Sequence, residues 1–238
     1  MNTCRLCGQS FLYGESGCPD NAYRFHDPGR PDLPIRAAPV DITFSIDIAN
    51  PATLLAGQLN WEWSERGLCE HIEVMMGAVA HYATSHPPVI IELGVRTGVS
   101  SAIWLAGIEK AERGRLWSVD IDEPSGSYVH QIIGHPAWTF HRGNDLDLAI
   151  LAPEAADILF IDTSHTYEHT LAELRLFTPK LQSEGVVFLH DSNVEDVAAG
   201  DEPWSVRRAI DTFIAEHPEW TVEHSADRFG LALMVRRP

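Results

Sequence analysis

The stretch Val89-Ile90-Ile91-Glu92-Leu93-Gly94-Val95-Arg96-Thr97-Gly98-Val99-Ser100 constrains this chain more than any other. An apolar run ends in an acid and a glycine-spaced loop, and a helical pattern from Ser101 to Lys110 follows at once. That order spells a buried strand, a tight turn with close backbone approach, and a helix N-terminus able to receive a ligand. Gly94 and Gly98 stand at i and i+4, not in the G-x-G-x-x-G spacing of dinucleotide folds. A second apolar run, Leu116-Trp117-Ser118-Val119, also ends in an acid, Asp120. An acid at the tip of a second strand is where a Rossmann-like sheet hydrogen-bonds a ribose diol.

From Val89 onward strand and helix patterns alternate. Strands are expected near 89–93, 115–120, 137–141, 157–161 and 185–190, with helices near 99–112, 125–133, 145–151 and 166–180. A helix near 204–217 and strands near 220–224 and 229–235 close the chain. Alternation at this spacing predicts an α/β, doubly wound, mainly parallel sheet with helices on both faces. The last two strands flank only Asp227-Arg228-Phe229-Gly230, too short for a crossover helix, so they are expected to pair antiparallel.

The N-terminal part reads differently. Residues 1–40 form an irregular arm rich in Gly, Pro and polar residues, and residues 41–88 read as a mainly helical segment ahead of a domain spanning 89–238. Asn50-Pro51 fits an N-cap followed by Pro at N1, and Ile72, Met75, Met76, Val79 and Tyr82 recur at helical spacing as core or oligomer contacts. Trp61 and Trp63 fit a packed corner or a substrate rim. Cys4-x2-Cys7 with Cys18 and His26 offers four Zn²⁺ ligands, although the second half of the motif is irregular and an incidental set of cysteines is the alternative.

Charge narrows the partners. Seventeen basic against 34 acidic residues give a net charge of −17, which argues against a phosphate backbone or an anionic membrane as partner. No apolar run approaches the roughly 18 residues of a spanning helix, and no basic and apolar leader is evident, so a cytoplasmic protein is expected. Four cysteines do not make a disulfide framework at this size.

In an open parallel sheet the ligand binds beyond the carboxyl ends of the strands. Those ends carry Glu92 and Gly94, then Asp120 and Asp122, then Gly143-Asn144-Asp145, then Asp162-Thr163-Ser164-His165, then His190-Asp191-Ser192-Asn193. Each follows an apolar run. Asp162 and Asp191 are lifted out of the fourth and fifth strands, and two carboxylates converging there repel unless a cation or proton lies between them. Mg²⁺ suits such ligands, His190 or Ser192 would complete the protein side, and an imidazole ligand tilts the choice toward Mn²⁺ or another transition metal. His165 has the intrinsic pKa to take a hydroxyl proton near neutrality. Plainer readings stand beside these: Asp162 as the cap of a helix starting near Thr166, His165 as a surface histidine, and His190 as packing.

These residues resemble the class I S-adenosylmethionine-dependent methyltransferases, most of all the metal-dependent small-molecule O-methyltransferases of the catechol and macrolide-sugar types. The resemblance covers about residues 70–238 and rests on Glu92-Leu93-Gly94-x3-Gly98-x-Ser100, Asp120, Asp162-x2-His165 and His190-Asp191-Ser192. It implies a Rossmann-like seven-stranded sheet of order 3-2-1-4-5-7-6 with an antiparallel last strand. It also implies that Glu92, Gly94, Gly98 and Ser100 hold the methionine end of S-adenosylmethionine. Asp120 would take the ribose hydroxyls, with Asn144 and Asp145 beside the adenine. Asp162 and Asp191, with His190, would bind the metal, and His165 would be the general base. His190 stands where the sugar enzymes carry Glu, and Ser192 where the catechol type carries Asn, so the third metal ligand stays open.

The implied reaction is methyl transfer to a hydroxyl of a small molecule. A sugar or glycoside is the first choice because histidine occupies the base position, with a catechol or other phenol second. Two other classes remain: an NAD-dependent oxidoreductase, disfavoured by the missing glycine fingerprint, and an S-adenosylmethionine-binding protein without turnover. The helical N-terminal segment is also a candidate homodimer surface, and the loop Val194–Trp204 a candidate lid.

Overall fold

The computed structural model describes residues 71–125, 129–194, 205–226 and 229–237, with Leu68 and the two-residue strand pairs 2–3/10–11 and 198–199/202–203. The cysteine and His26 set, the Asn50-Pro51 cap, Trp61 and Trp63 lie outside the described residues, as does most of the Val194–Trp204 loop.

The first helix, α1 (Ile72–Ala83), buries Ile72, Met75, Val79 and Tyr82, the stripe expected from its spacing. The alternating unit follows as β1 (Val89–Leu93), α2 (Val99–Ala111), β2 (Arg115–Asp120), α3 (Val129–Ile132) and β3 (Trp138–Arg142). Next come α4 (Asp145–Leu148), β4 (Ala156–Ile161), α5 (Tyr167–Phe177) and β5 (Leu181–His190), then α6 (Val206–Glu216), β6 (Trp220–His224) and β7 (Leu231–Arg236). Seven strands form one sheet in the order β3-β2-β1-β4-β5-β7-β6. β1 to β5 run parallel where they pair, and β7 is antiparallel to both β5 and β6.

The central strands are apolar throughout because helices cover both faces. Their alternation sorts side chains between two cores. Ile90, Ile158, Phe160 and Phe188 face α1 and α2, packing on Met75, Val79, Ile103 and Trp104. Ile91, Leu93, Leu159, Ile161, Val187 and Leu189 face α5 and α6, packing on Leu174, Phe177, Ile210, Phe213 and Trp220. Helix α2 is buried from Val99 to Ile108, which explains why its sequence lacks a polar face. A Cβ on its Gly107 would stand 3.1 Å from Val79, so glycine permits the close docking of α1.

Several element boundaries differ from the sequence expectation. β5 begins at Leu181, ahead of residue 185, because Leu181 pairs with Ala156 before the register shifts and resumes at Val186 opposite Ile158. Gln182 to Gly185 bridge this irregularity, and their polarity hid the strand's start. The helices expected at 145–151 and 166–180 both end in 3₁₀ turns, Ala149–Leu151 and Thr178–Lys180. Among the described residues, the helix expected at 125–133 is Val129–Ile132. No helix there is long and apolar enough to cross a membrane.

Candidate active site

Strand order reverses between β1 and β4, so the crevice lies beyond their carboxyl ends. Gly94 ends β1 with φ +91°, its N–H donating to Val119 O at 2.9 Å. An added Cβ would stand 2.1 Å from the Asp162 carbonyl oxygen. Glycine is therefore required where the ends of β1 and β4 meet. Gly98, φ +83°, caps α2, and a Cβ there would meet Val129 at 2.8 Å.

Glu92 lies wholly inside the protein. Its Oε2 accepts from the Ser101 and Ser118 hydroxyls at 2.6 Å each, while Oε1 is buried without a partner. Burial raises the Glu92 carboxyl to about 7 against the opposing pull of the Ser100, Ser101 and Ser118 hydroxyls. Ser100, in the first turn of α2, is buried as well.

Asp120 stands at the tip of β2, half-buried. Its Oδ2 accepts from the backbone N–H groups of Val95 and Arg96 at 2.7 and 2.8 Å, and its Oδ1 accepts from Asp122 N at 3.0 Å. The carboxylate shapes the β1–α2 loop. Asn144 caps α4, accepting from Leu146 N at 2.9 Å. Asp145 is buried, with His169 Nε2 3.0 Å from its Oδ1. Burial alone would raise the Asp145 carboxyl, but hydrogen bonds from His169 and Glu173 outweigh it and hold the group below its usual value.

Beyond β4 and β5 the ionisable groups converge. His165 Nε2 lies 2.9 Å from Asp162 Oδ1 and 3.2 Å from Asp191 Oδ2. His190 Nδ1 flanks the same two oxygens at 3.4 and 3.5 Å. His165 and Asp191 both adopt left-handed backbone, φ +60° and +55°, a conformation that non-glycine residues hold at functional sites more often than elsewhere. Burial would lower the His190 imidazole, but Asp162 and then Asp191 overcome it and lift the ring to about 10. Asp162 answers in the opposite sense: burial pushes it up, and His190 and His165 hold it far below the usual carboxylate range. The N-cap of α5 is Thr166 with no side-chain cap bond, so Asp162 is not that helix's cap. His165 is no surface histidine, with 13% of its side chain exposed. His190 also packs edge-on against His71, ring centres 6.2 Å apart, and stacks over Phe229 at 6.3 Å.

Sequence reading missed Ser101 and Ser118 around Glu92, and His169 and Glu173 beside Asp145. The His169/Glu173 spacing of four on a helical pattern was the one available signal. The convergence on Asp145 arises only once α4 packs on α5.

This sheet order, with its antiparallel β7, is that of the class I S-adenosylmethionine-dependent methyltransferases. Residues 91–192 match the family described as a methyltransferase domain, a span running from β1 to the end of the Asp191 site. The match and the sheet order agree on the fold that this stretch adopts. A comparison with curated protein sequences finds no match. Among solved structures, a protein of Corynebacterium glutamicum aligns with TM-score 0.60 at 15% identity, covering 78% of this chain and 90% of that one. The O-methyltransferase from Bacillus cereus in complex with S-adenosylhomocysteine aligns with TM-score 0.52 at 17% identity, covering 68% and 80%. The O-methyltransferase TomG from Streptomyces achromogenes, involved in tomaymycin synthesis and in complex with S-adenosylmethionine, aligns with TM-score 0.53 at 15% identity, covering 79% and 90%.

Proposed function

We infer that this chain transfers the methyl group of S-adenosylmethionine to a hydroxyl of a small molecule. A sugar or glycoside is the first choice of acceptor, and a catechol or other phenol the second. The observation that carries the reading is the convergence of Asp162, His165 and Asp191 beside the Gly94 loop, with their ligand atoms within 4.8 Å of one another. The bound S-adenosylmethionine and S-adenosylhomocysteine of the two O-methyltransferases support the same donor here.

The residues fit a divalent cation. Asp191 Oδ1 and both ring nitrogens of His190 are buried without a hydrogen-bond partner, and two carboxylates with an imidazole suit Mg²⁺ or Mn²⁺. Asp162 and Asp191 would hold it, with His190 as the third protein group. A cation so held would supply Lewis-acid chemistry, lowering the pKa of the acceptor hydroxyl. His165, whose Nε2 lies 2.9 Å from Asp162 Oδ1, takes the hydroxyl proton in this reading. The acceptor oxygen then forms its bond to the methyl carbon as the carbon–sulfur bond breaks, and much of the acceleration is positioning. Asp120, Asn144 and the loop at 94–98 line the crevice on the donor side. The net charge of −17 accords with a cationic donor and a neutral acceptor.

Calorimetry with S-adenosylmethionine, with and without Mg²⁺, on the native protein and on Asp120→Ala tests this reading. Micromolar binding lost in the variant is expected, followed by metal-dependent methylation of sugars or catechols that Asp162→Asn abolishes. Absence of binding to the native protein would overturn the reading, and NAD(H) would be titrated next.

A further inference from the structure

A second group of metal-ligating side chains lies outside the site just described. Asp145 is the first residue of α4, and His169 and Glu173 stand one turn apart on the face of α5 that meets it. His169 Nε2 is 3.0 Å from Asp145 Oδ1 and 3.6 Å from Glu173 Oε1, and one ligand atom from each residue falls within 4.8 Å of the others. We propose that Asp145, His169 and Glu173 bind one divalent transition-metal cation, clamping α4 to α5.

Two observations carry this beyond a chance meeting of acids. The first is that the site is built inside the protein. Glu173 is 0% and Asp145 7% exposed, and Asp145 Oδ2 and Glu173 Oε2 are both buried with no hydrogen-bond partner beyond a proton shared between the two carboxyls. Two enclosed carboxyl groups with orphaned oxygens are costly unless a cation or a proton compensates them. The second is the spacing. Ligands about 2.0–2.2 Å from a tetrahedral ion lie roughly 3.3–3.6 Å from each other. The 3.0 and 3.6 Å separations need adjustments of only a few tenths of an ångström.

The donors select the ion class. One imidazole nitrogen and two carboxylates suit Zn²⁺ or a neighbouring first-row ion better than Mg²⁺. The Thr163 hydroxyl donates to Glu173 Oε1 at 2.7 Å and orients that carboxylate, the role an outer hydrogen bond plays at metal sites. His169, 22% exposed, leaves the ion a way in from solvent. Because Thr163 follows Asp162 directly, a cation here would also fix the end of β4, on which the catalytic groups sit.

The test is the zinc content of the full chain after equilibrium dialysis against Zn²⁺, with native protein, His169→Ala, His169→Gln and Glu173→Gln compared. Other zinc ligands in the chain cancel in the difference. Each variant is expected to lose one zinc per chain, or to bind that zinc more weakly by more than the about 10–100-fold that loss of an outer hydrogen-bond partner costs. Equal zinc in native protein and variants that keep the native circular dichroism would overturn the proposal and leave Asp145 and Glu173 sharing a proton. Should His169→Ala unfold, the two glutamine variants, which preserve side-chain volume, carry the same expectation. A native protein whose Tm does not respond to Zn²⁺ while both glutamine variants retain its zinc content would likewise refute it.

Discussion

Glu92→Gln should abolish the pH dependence that one buried carboxyl imposes on the fold. Glu92 is enclosed by Ser101, Ser118 and the first turn of α2, with Oε1 lacking any partner, and its carboxyl is raised to about 7. A carboxyl whose folded pKa lies above its unfolded value keeps its proton longer in the native state. Its contribution is therefore fully favourable below the unfolded value of 4.5 and is lost as the pH rises through 7. At 1.36 kcal/mol for each pKa unit, the loss by pH 8 is about 3 kcal/mol, of which roughly 2–3 falls between pH 5 and 8. Glutamine keeps an oxygen for the two serine hydroxyls and cannot ionise, so it mimics the protonated acid. Urea unfolding followed by far-UV circular dichroism, without S-adenosylmethionine, measures both proteins at pH 5 and pH 8. The variant should gain about 2–3 kcal/mol on the native protein between the two pH values, equivalent to roughly 5–10 °C in Tm for a domain of this size. A difference that does not change with pH would refute the reasoning, and one that shrinks toward pH 8 would refute it more sharply, since it would mean that Glu92 folds as a stabilised anion.

Two further perturbations separate backbone geometry from chemistry. Gly94→Ala places a Cβ 2.1 Å from the Asp162 carbonyl at φ +91° and should cost about 3 kcal/mol or more, whereas Gly77→Ala, inside α1 with nothing within 4 Å, should gain about 1 kcal/mol; thermal denaturation compares them. Asp120→Asn keeps an oxygen able to accept from Val95 and Arg96, while Asp120→Ala removes it. Calorimetry should show weakened S-adenosylmethionine binding in both, and differential scanning should show a lowered Tm in the alanine variant alone; equal Tm losses would mean that the carboxylate's charge, not its acceptor geometry, holds the loop.

What the sequence made legible is what one strand can say by itself. The runs at 89–93 and 157–161 have no helical alternative of that length, and their burial on both faces follows from helices packed on either side. Each strand's terminal acid marks the crevice because chain direction is the same in β1 to β5. The strand order came from the resemblance, since no residue pattern in β4 states that β1 is its neighbour. The sites were legible only in part, because their chemistry depends on which groups the packing sets face to face. Asp120 reads as an acid at a strand tip, but its hold on Val95 and Arg96 depends on the turn that Gly94 and Gly98 allow. Asp162 and His165 share a motif, yet the entry of His165 between two carboxylates requires β5 to lie beside β4 and His165 to adopt φ +60°. Left-handed backbone at glycine leaves a mark in sequence; at histidine and aspartate it leaves none. Beyond β4 and β5, the left-handed residues His165 and Asp191 meet side chain to side chain at 3.2 Å, so the strain there accompanies a contact between groups held by two different strands. Relieving it at either position would turn away the side chain on which the pairing depends.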